Sequence, residues 1–96
     1  NLLIDYDKHL VQVDGQEVHL TQSEYKIVAL LTRYSGKVLT YDFIIQTIWG
    51  DKASGGTQNL RANMAKIRRK IEKNPAKPEY IFTEVGVGYR MRENEC

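Results

Sequence analysis

The chain reads as an α+β domain in which a small antiparallel sheet is followed by three helices and a terminal hairpin. Three observations predict it. Apolar positions recur at short, partly alternating intervals up to Leu20, with Asp14-Gly15 between two such runs. Thr21 and Thr40 each stand before an apolar pattern of helical period. A basic helical tract from Thr57 to Lys73 is closed by Asn74-Pro75, and strand-like sequence resumes around Val85-Gly86-Val87-Gly88.

The runs LLID, LVQV and EVHL predict a sheet of three strands, with room for a fourth. Asp14-Gly15 is a strong two-residue hairpin signal, because a type I′ turn needs positive φ at both positions. Asp7-Lys8 is a weaker turn. His9 and His19 lie in strand sequence without a metal-ligand spacing and are read as surface or half-buried structural residues. Asp5, Asp7 and Asp14 read as turn and edge residues, not paired catalytic carboxylates.

In TQSEYKIVALLTRYSG, Thr21 and Glu24 form a capping box, with Leu20 and Tyr25 placed as a hydrophobic staple. Tyr25, Ile27, Val28, Leu30, Leu31 and Tyr34 make a broad apolar face, and Gly36 supplies a left-handed stop. In KVLTYDFIIQTIWG, Thr40 caps, Leu39 and Ile44 staple, and Asp42 sits at the positive end of the helix dipole. Ile44, Ile45, Ile48 and Trp49 supply the buried face. The segment Asp51 to Gly56, DKASGG, is a flexible connection leading to Thr57 as N-cap of the third helix.

That third helix is the chemically distinctive element. Leu60, Met64, Ile67 and Ile71 form one apolar stripe, while Gln58, Ala62, Ala65, Lys66, Arg69 and Lys73 cluster opposite. Arg61 and Arg68 lie on one flank; Asn59, Asn63 and Lys70 lie on the other. Thr57 to Lys73 carries a net +5 in a chain of +2, so the remaining residues sum to −3. Nearly uniform charge, with two alanines in the middle of the outward face, suits close approach to a polyanion more than an ordinary solvated surface. Amides near the helix start and cations towards its end match base edges and phosphates of a major groove.

Ninety-six residues, 42% hydrophobic and 27% charged, make one globular domain spanning residues 1–96. No apolar run reaches the roughly 18 residues that cross a bilayer, and no signal-peptide pattern is present. The single Cys96 excludes an internal disulfide and fits a reducing cytosol. The start at Asn1, without methionine, is expected of a piece of a longer protein. Gly86-Val87-Gly88 precedes no helix, so it is a turn and not a dinucleotide fingerprint. No nucleophile–base set, P-loop or metal-ligand spacing occurs, so no catalytic residue, metal site or cofactor is expected.

The order of elements is that of a winged helix-turn-helix with an enlarged turn. LTQSEYKIVALL, GKVLTYDFIIQTIWG, LRANMAKIRRKIE and IFTEVGVGYR closely resemble the DNA-binding effector domain of OmpR/PhoB-type response regulators, over about Leu10 to Arg92. The Thr-Glu before GVGYR resembles most the KdpE branch, which controls potassium-transport genes. The resemblance implies a bacterial cytoplasmic transcription factor. It also implies an N-terminal receiver domain outside these residues, phosphorylated on Asp by a sensor histidine kinase. Such domains bind tandem direct repeats of double-stranded DNA as head-to-tail pairs, with no membrane partner.

Residue by residue, the resemblance implies groove contacts at Gln58, Asn59, Ala62 and Lys66, and backbone contacts at Trp49, Arg68, Thr83 and Tyr89. With the outward face added, the expected base-facing set also holds Arg61, Ala65 and Arg69. The backbone set gains Thr57, Lys70 and Arg90. Asp51, Lys52, Ala53, Ser54, Gly55 and Gly56 match the loop that faces RNA polymerase. Trp49 has an equal claim to closing the core. Two positions depart from the family: Val85 stands where the best-known wings carry Arg, and Ala65 where a cation is common. Val85 has two directions open to it, towards a groove or inward. Arg90 and Arg92 share one strand face, of direction not fixed by alternation.

The leading expectation is therefore a sequence-specific duplex-DNA-binding domain without catalysis; the alternative is a winged-helix module that binds protein. A steep loss of DNA affinity with salt separates them. Single-stranded RNA binding is disfavoured, since the aromatics lie among apolar neighbours.

Overall fold

The computed structural model describes residues 1–52 and 56–93. Its first sheet holds β1 (Leu2–Asp5), β2 (Leu10–Val13) and β3 (Gln16–Val18), antiparallel in the order β1-β2-β3. Three strands are present there, without the fourth. Asp14 at φ 51° and Gly15 at φ 82° make the left-handed pair that the turn requires, and Val13 pairs with Gln16 across it. The Tyr6–His9 turn leaves His9 at φ 53°, its ring stacked on Tyr25 at 4.7 Å. Both histidines are exposed.

Helix α1 (Gln22–Arg33) begins with the expected box: Thr21 Oγ1 accepts from Glu24 N at 3.2 Å, and Thr21 N donates to Glu24 Oε1 at 3.0 Å. It ends three residues before Gly36, which takes the expected left-handed conformation at φ 85° and donates its N–H to Met91 O at 2.9 Å. Helix α2 (Tyr41–Ile48) is capped by Thr40 Oγ1, 3.1 Å from Phe43 N. After the 3-10 turn Gly50–Lys52 comes α3 (Gly56–Ile71). It starts one residue before the expected cap, so Thr57 lies in the first helical turn and is not the N-cap. Its last turn stops at Ile71, ahead of Lys73, because Asn74-Pro75 cannot continue the helix. Leu60, Met64, Ile67 and Ile71 are all buried, which confirms the stripe.

The C-terminal strands are β5 (Ile81–Glu84) and β6 (Gly88–Met91). They do not form an isolated hairpin. A further strand, β4 (Val38–Thr40), pairs with β6 to give a second sheet in the order β4-β6-β5. This strand was not expected, since the same residues carry the cap of α2. The two sheets and three helices enclose one core containing Val11, Ile27, Val28, Leu31, Ile44, Leu60, Met64, Ile67 and Ile81, each 1% exposed or less.

Glu24 does more than cap α1. Its carboxylate is 1% exposed and receives Lys70 Nζ from α3 at 2.7 Å, on the oxygen that also accepts from Thr21 N. Burial pushes the Glu24 pKa up, but the Lys70 and Thr21 hydrogen bonds and the nearby positive charges outweigh it, and the net direction is down. A lowered folded-state pKa stabilises the fold above the unfolded-state value, and that contribution is lost as pH falls through the folded one. Thermal unfolding between about pH 7 and about pH 3 should show Glu24→Gln less stable than the parent at neutral pH and closing the gap in acid. A constant gap would mean that the pair carries no titrating stability.

Candidate nucleic-acid interface

The outward face of α3 is as the periodicity requires. Gln58, Ala62, Ala65, Lys66 and Arg69 are exposed, as are Thr57 and the flanking Arg61, while Asn59 is half-buried. Asn63 Nδ2 donates to Asn59 O at 3.0 Å and to Asn59 Oδ1 at 3.3 Å. One amide side chain is thus held by its neighbour a turn away. Ala62 and Ala65 leave a shallow centre flanked by cations, so the helix can approach a partner closely without moving long side chains.

Two of the expected cations on α3 are already engaged within the protein. Lys70 is paired with Glu24. Arg68 Nη2 donates to Ile81 O at 3.0 Å and to Thr83 Oγ1 at 2.8 Å, and its guanidinium lies 5.6 Å from the centre of the Tyr89 ring. The bonds among the described residues engage Arg68 and Lys70 but leave Arg61, Lys66 and Arg69 out. On α3, the last three are the cations most available to an external anion.

The wing tip lies beside this helix. Tyr41, Arg61, Ala65, Arg68, Thr83, Val85 and Tyr89 line a groove between α3 and the β5–β6 turn. Val85 is 90% exposed, so the inward alternative is excluded and its side chain stands at the tip. Tyr89, in contrast, is only 4% exposed and meets Tyr41 edge-on at 5.4 Å. Burial, then the neighbouring Tyr41, raise its pKa against the opposing pull of Arg68 and Arg61. Thr83 is exposed at the mouth of the groove.

The sheet register settles Arg90. It opposes Phe82 and Val38 in the sheet register, its guanidinium is 4.9 Å from the Phe82 ring, and Nε is 3.4 Å from Glu84 Oε2. Tyr89 and Thr83 point to the other face, towards α3, so Arg90 lies on the side of the sheet away from the groove. Arg92 stacks over Tyr80 at 4.8 Å. Trp49 caps the end of α2 and packs partly buried against the core. In the loop matched to a polymerase contact, Gly50–Lys52 form the 3-10 turn and Gly56 opens α3. Ala53, Ser54 and Gly55 lie outside the described residues.

Residues 15–91 match the family described as "Transcriptional regulatory protein, C terminal". The chain belongs to this family. The KDP operon transcriptional regulatory protein KdpE of Escherichia coli is 36% identical over 91 residues, which is 95% of this chain and 40% of that protein. The chain therefore spans about two fifths of the length of this curated relative. Response regulator DrrB, a Thermotoga maritima OmpR/PhoB homolog, superposes with a TM-score of 0.87 at 34% identity, over 95% of this chain and 41% of the other. The DNA-binding domain of response regulator AdeR, solved in complex with an intercistronic region, superposes at a TM-score of 0.80 and 26% identity, covering 98% and 95%. The domain is thus an OmpR/PhoB-type effector domain, a DNA-binding output module of a response regulator and not an enzyme. Among the described residues, no helix is long and apolar enough to cross a membrane.

Two features that matter here are not legible in the sequence, for different reasons. Val38–Thr40 reads as a cap and is a strand. Glu72, 6% exposed, reads as a helix-end charge; its carboxylate instead accepts from the backbone N–H groups of Glu79, Tyr80 and Ile81. A Glu at the end of an apolar stripe is the only signal the sequence carried.

Proposed function

We propose that this OmpR/PhoB-type domain binds duplex DNA with α3 in the major groove and the β5–β6 turn over the neighbouring minor groove. The exposed face of Arg61, Ala62, Ala65, Lys66 and Arg69 is the observation that supports it. Gln58 and Asn59 lie at the end of the helix that would meet base edges first. Thr57, Thr83 and Trp49 flank this face and suit backbone contacts. Two copies bind head to tail on tandem direct repeats, and the Gly50–Gly56 segment faces RNA polymerase. In the whole protein, a receiver domain phosphorylated by a sensor histidine kinase governs the pairing. By likeness to KdpE, the regulated genes serve potassium transport in a bacterial cytoplasm.

The test is a gel shift on the duplex that this domain selects from a random pool, offered as one and as two half-sites across a salt series. Binding without phosphorylation, tighter on two half-sites and falling steeply with salt, is expected. Equal affinity for one and two half-sites would remove the tandem arrangement, and no binding at low salt would favour a protein-binding module.

The wing of this chain differs from those with an Arg at its tip. Valine offers no donor to the acceptors of the minor groove and no charge to its negative potential. Because Val85 is 90% exposed, Val85→Arg buries nothing. The variant should bind about tenfold more tightly with a salt slope steeper by ~0.9. A new preference for A·T pairs beside the core site should accompany the gain. A stable variant of unchanged affinity would place the wing tip away from the groove.

A further inference from the structure

We propose that Arg68 and Glu72 are positioning residues that lock the wing to the groove-facing helix and so set the distance between the two DNA-reading elements. The inference rests on the DNA-binding reading above and assigns Arg68 a role other than the phosphate contact its resemblance implies. The sheet order leaves β5 as an edge strand, paired among the described residues only with β6. Arg92 N donates to Tyr80 O at 2.7 Å, and Ile81 stands opposite Met91. In an antiparallel ladder the residue beside a bonded pair turns its N–H and C=O the other way. The backbone groups of Ile81 therefore face off the edge of the sheet, where an unpaired donor and acceptor would otherwise need water or another strand.

The end of α3 and Glu72, the residue that follows it, cover both. Glu72 Oε2 accepts from Ile81 N at 3.0 Å, and Arg68 Nη2 donates to Ile81 O at 3.0 Å. The two residues are one helical turn apart, a spacing that places them on one side of the helix. Each grip extends along the strand. Glu72 also accepts from Glu79 N at 2.6 Å and from Tyr80 N, while Arg68 reaches Thr83 Oγ1 at 2.8 Å. Ile81 itself is wholly buried, so any sliding of β5 along α3 would break two charge-assisted hydrogen bonds and move a core side chain. Arg68 Nε is buried without a partner among the described residues. A guanidinium tolerating an orphaned N–H is held there by its other bonds and by Tyr89, not by solvent.

The consequence is geometric. The wing tip at Val85 is four residues beyond the clamped Ile81, and Lys66 lies on the same helix as the clamp. Helix and wing then meet DNA as one rigid body, with their separation preset before binding, which lowers the ordering cost of engaging both grooves.

Arg68→Met, Glu72→Gln and the milder Thr83→Val, all in this chain, test the clamp. Amide exchange in the free domain reads it without DNA: Glu72→Gln, which sets a donor against the N–H groups, should raise exchange at Ile81 while α1 stays protected. On the selected duplex, Arg68→Met should lose roughly tenfold in affinity with the salt slope unchanged. Its hydroxyl-radical footprint should fade over the flanking minor groove and persist over the major-groove half. Thr83→Val, which removes one leg at an exposed position, should show the same footprint change in smaller degree. A slope lowered by ~0.9 with an intact footprint would make Arg68 a phosphate contact and overturn the proposal. Unchanged exchange at Ile81 in Glu72→Gln would overturn it as well. If the parent domain bound no duplex, the DNA reading would fall, and the exchange measurement would still decide the clamp.

Discussion

Gly88→Ala should unfold this domain at temperatures where the parent is fully folded. A Cβ at Gly88 would stand 1.8 Å from Leu39 O, 2.7 Å from Leu39 C and 2.8 Å from Thr40 Cα, all of them backbone atoms. Backbone cannot swing aside as a long side chain can, so β4 must leave β6 or the strands must part. Either movement breaks the Thr40–Gly88 register and withdraws Leu39, which is buried. It also loosens the cap of α2, since Thr40 belongs to both elements. The expected loss is about 3 kcal/mol or more, near the top of the range for overpacking. For a domain of this size that corresponds to a fall of roughly 10–25 °C in Tm. Gly86→Ala is the comparison. Gly86 has φ 76° but, among the described residues, no atom within 4 Å of its added Cβ, so backbone strain is what opposes the change, costing about 1 kcal/mol. Thermal unfolding by circular dichroism distinguishes the two, and equal Tm values would mean that β4 does not pack against Gly88 in solution.

The contrast between those glycines marks what was legible in the sequence. Asp14-Gly15, Thr21 with Glu24, and Thr40 act on residues within four positions of themselves, and each stands where local chemistry puts it. The stripe of α3 is equally local, because a helix repeats its own face. What escaped depends on distant pairing. Val38–Thr40 has no strand signal beyond β-branched residues at its ends; it becomes a strand only because β6 arrives beside it. Lys70 reads as a free cation until Glu24, 46 positions earlier, is seen to hold it. Arg68 and Glu72 look like a charged helix end, and only the path of β5 turns them towards one peptide unit. The candidate surface is narrower than the sequence alone implies. Its cations are those that the fold leaves unspent.

Lys66→Ala tests that narrower form most directly. Lys66 is exposed between Ala62 and Arg69 on the outward stripe, and none of the bonds that engage Arg68 and Lys70 involves it. A lysine at the centre of a helix in the major groove reaches guanine O6 and N7, whereas one at the edge reaches phosphate. Removing a central contact should cost roughly 1–3 kcal/mol on the selected site and much less on sites already mutated at the base pair it reads. Preference at that one position should relax while the rest of the site is recognised as before. A phosphate contact would behave otherwise, weakening every sequence alike and lowering the salt slope by about 0.9. The measurement is a set of affinities for the selected duplex and its single-base-pair variants, with parent and Lys66→Ala, at two salt concentrations. Charge loss has one further consequence inside the protein, because Lys66 contributes to holding the Glu24 pKa down. That effect falls on acid stability and leaves base preference untouched, so the two can be read separately. A uniform loss across all base variants would move Lys66 from the centre of the interface to its rim, and with it the orientation of α3 assigned to the groove.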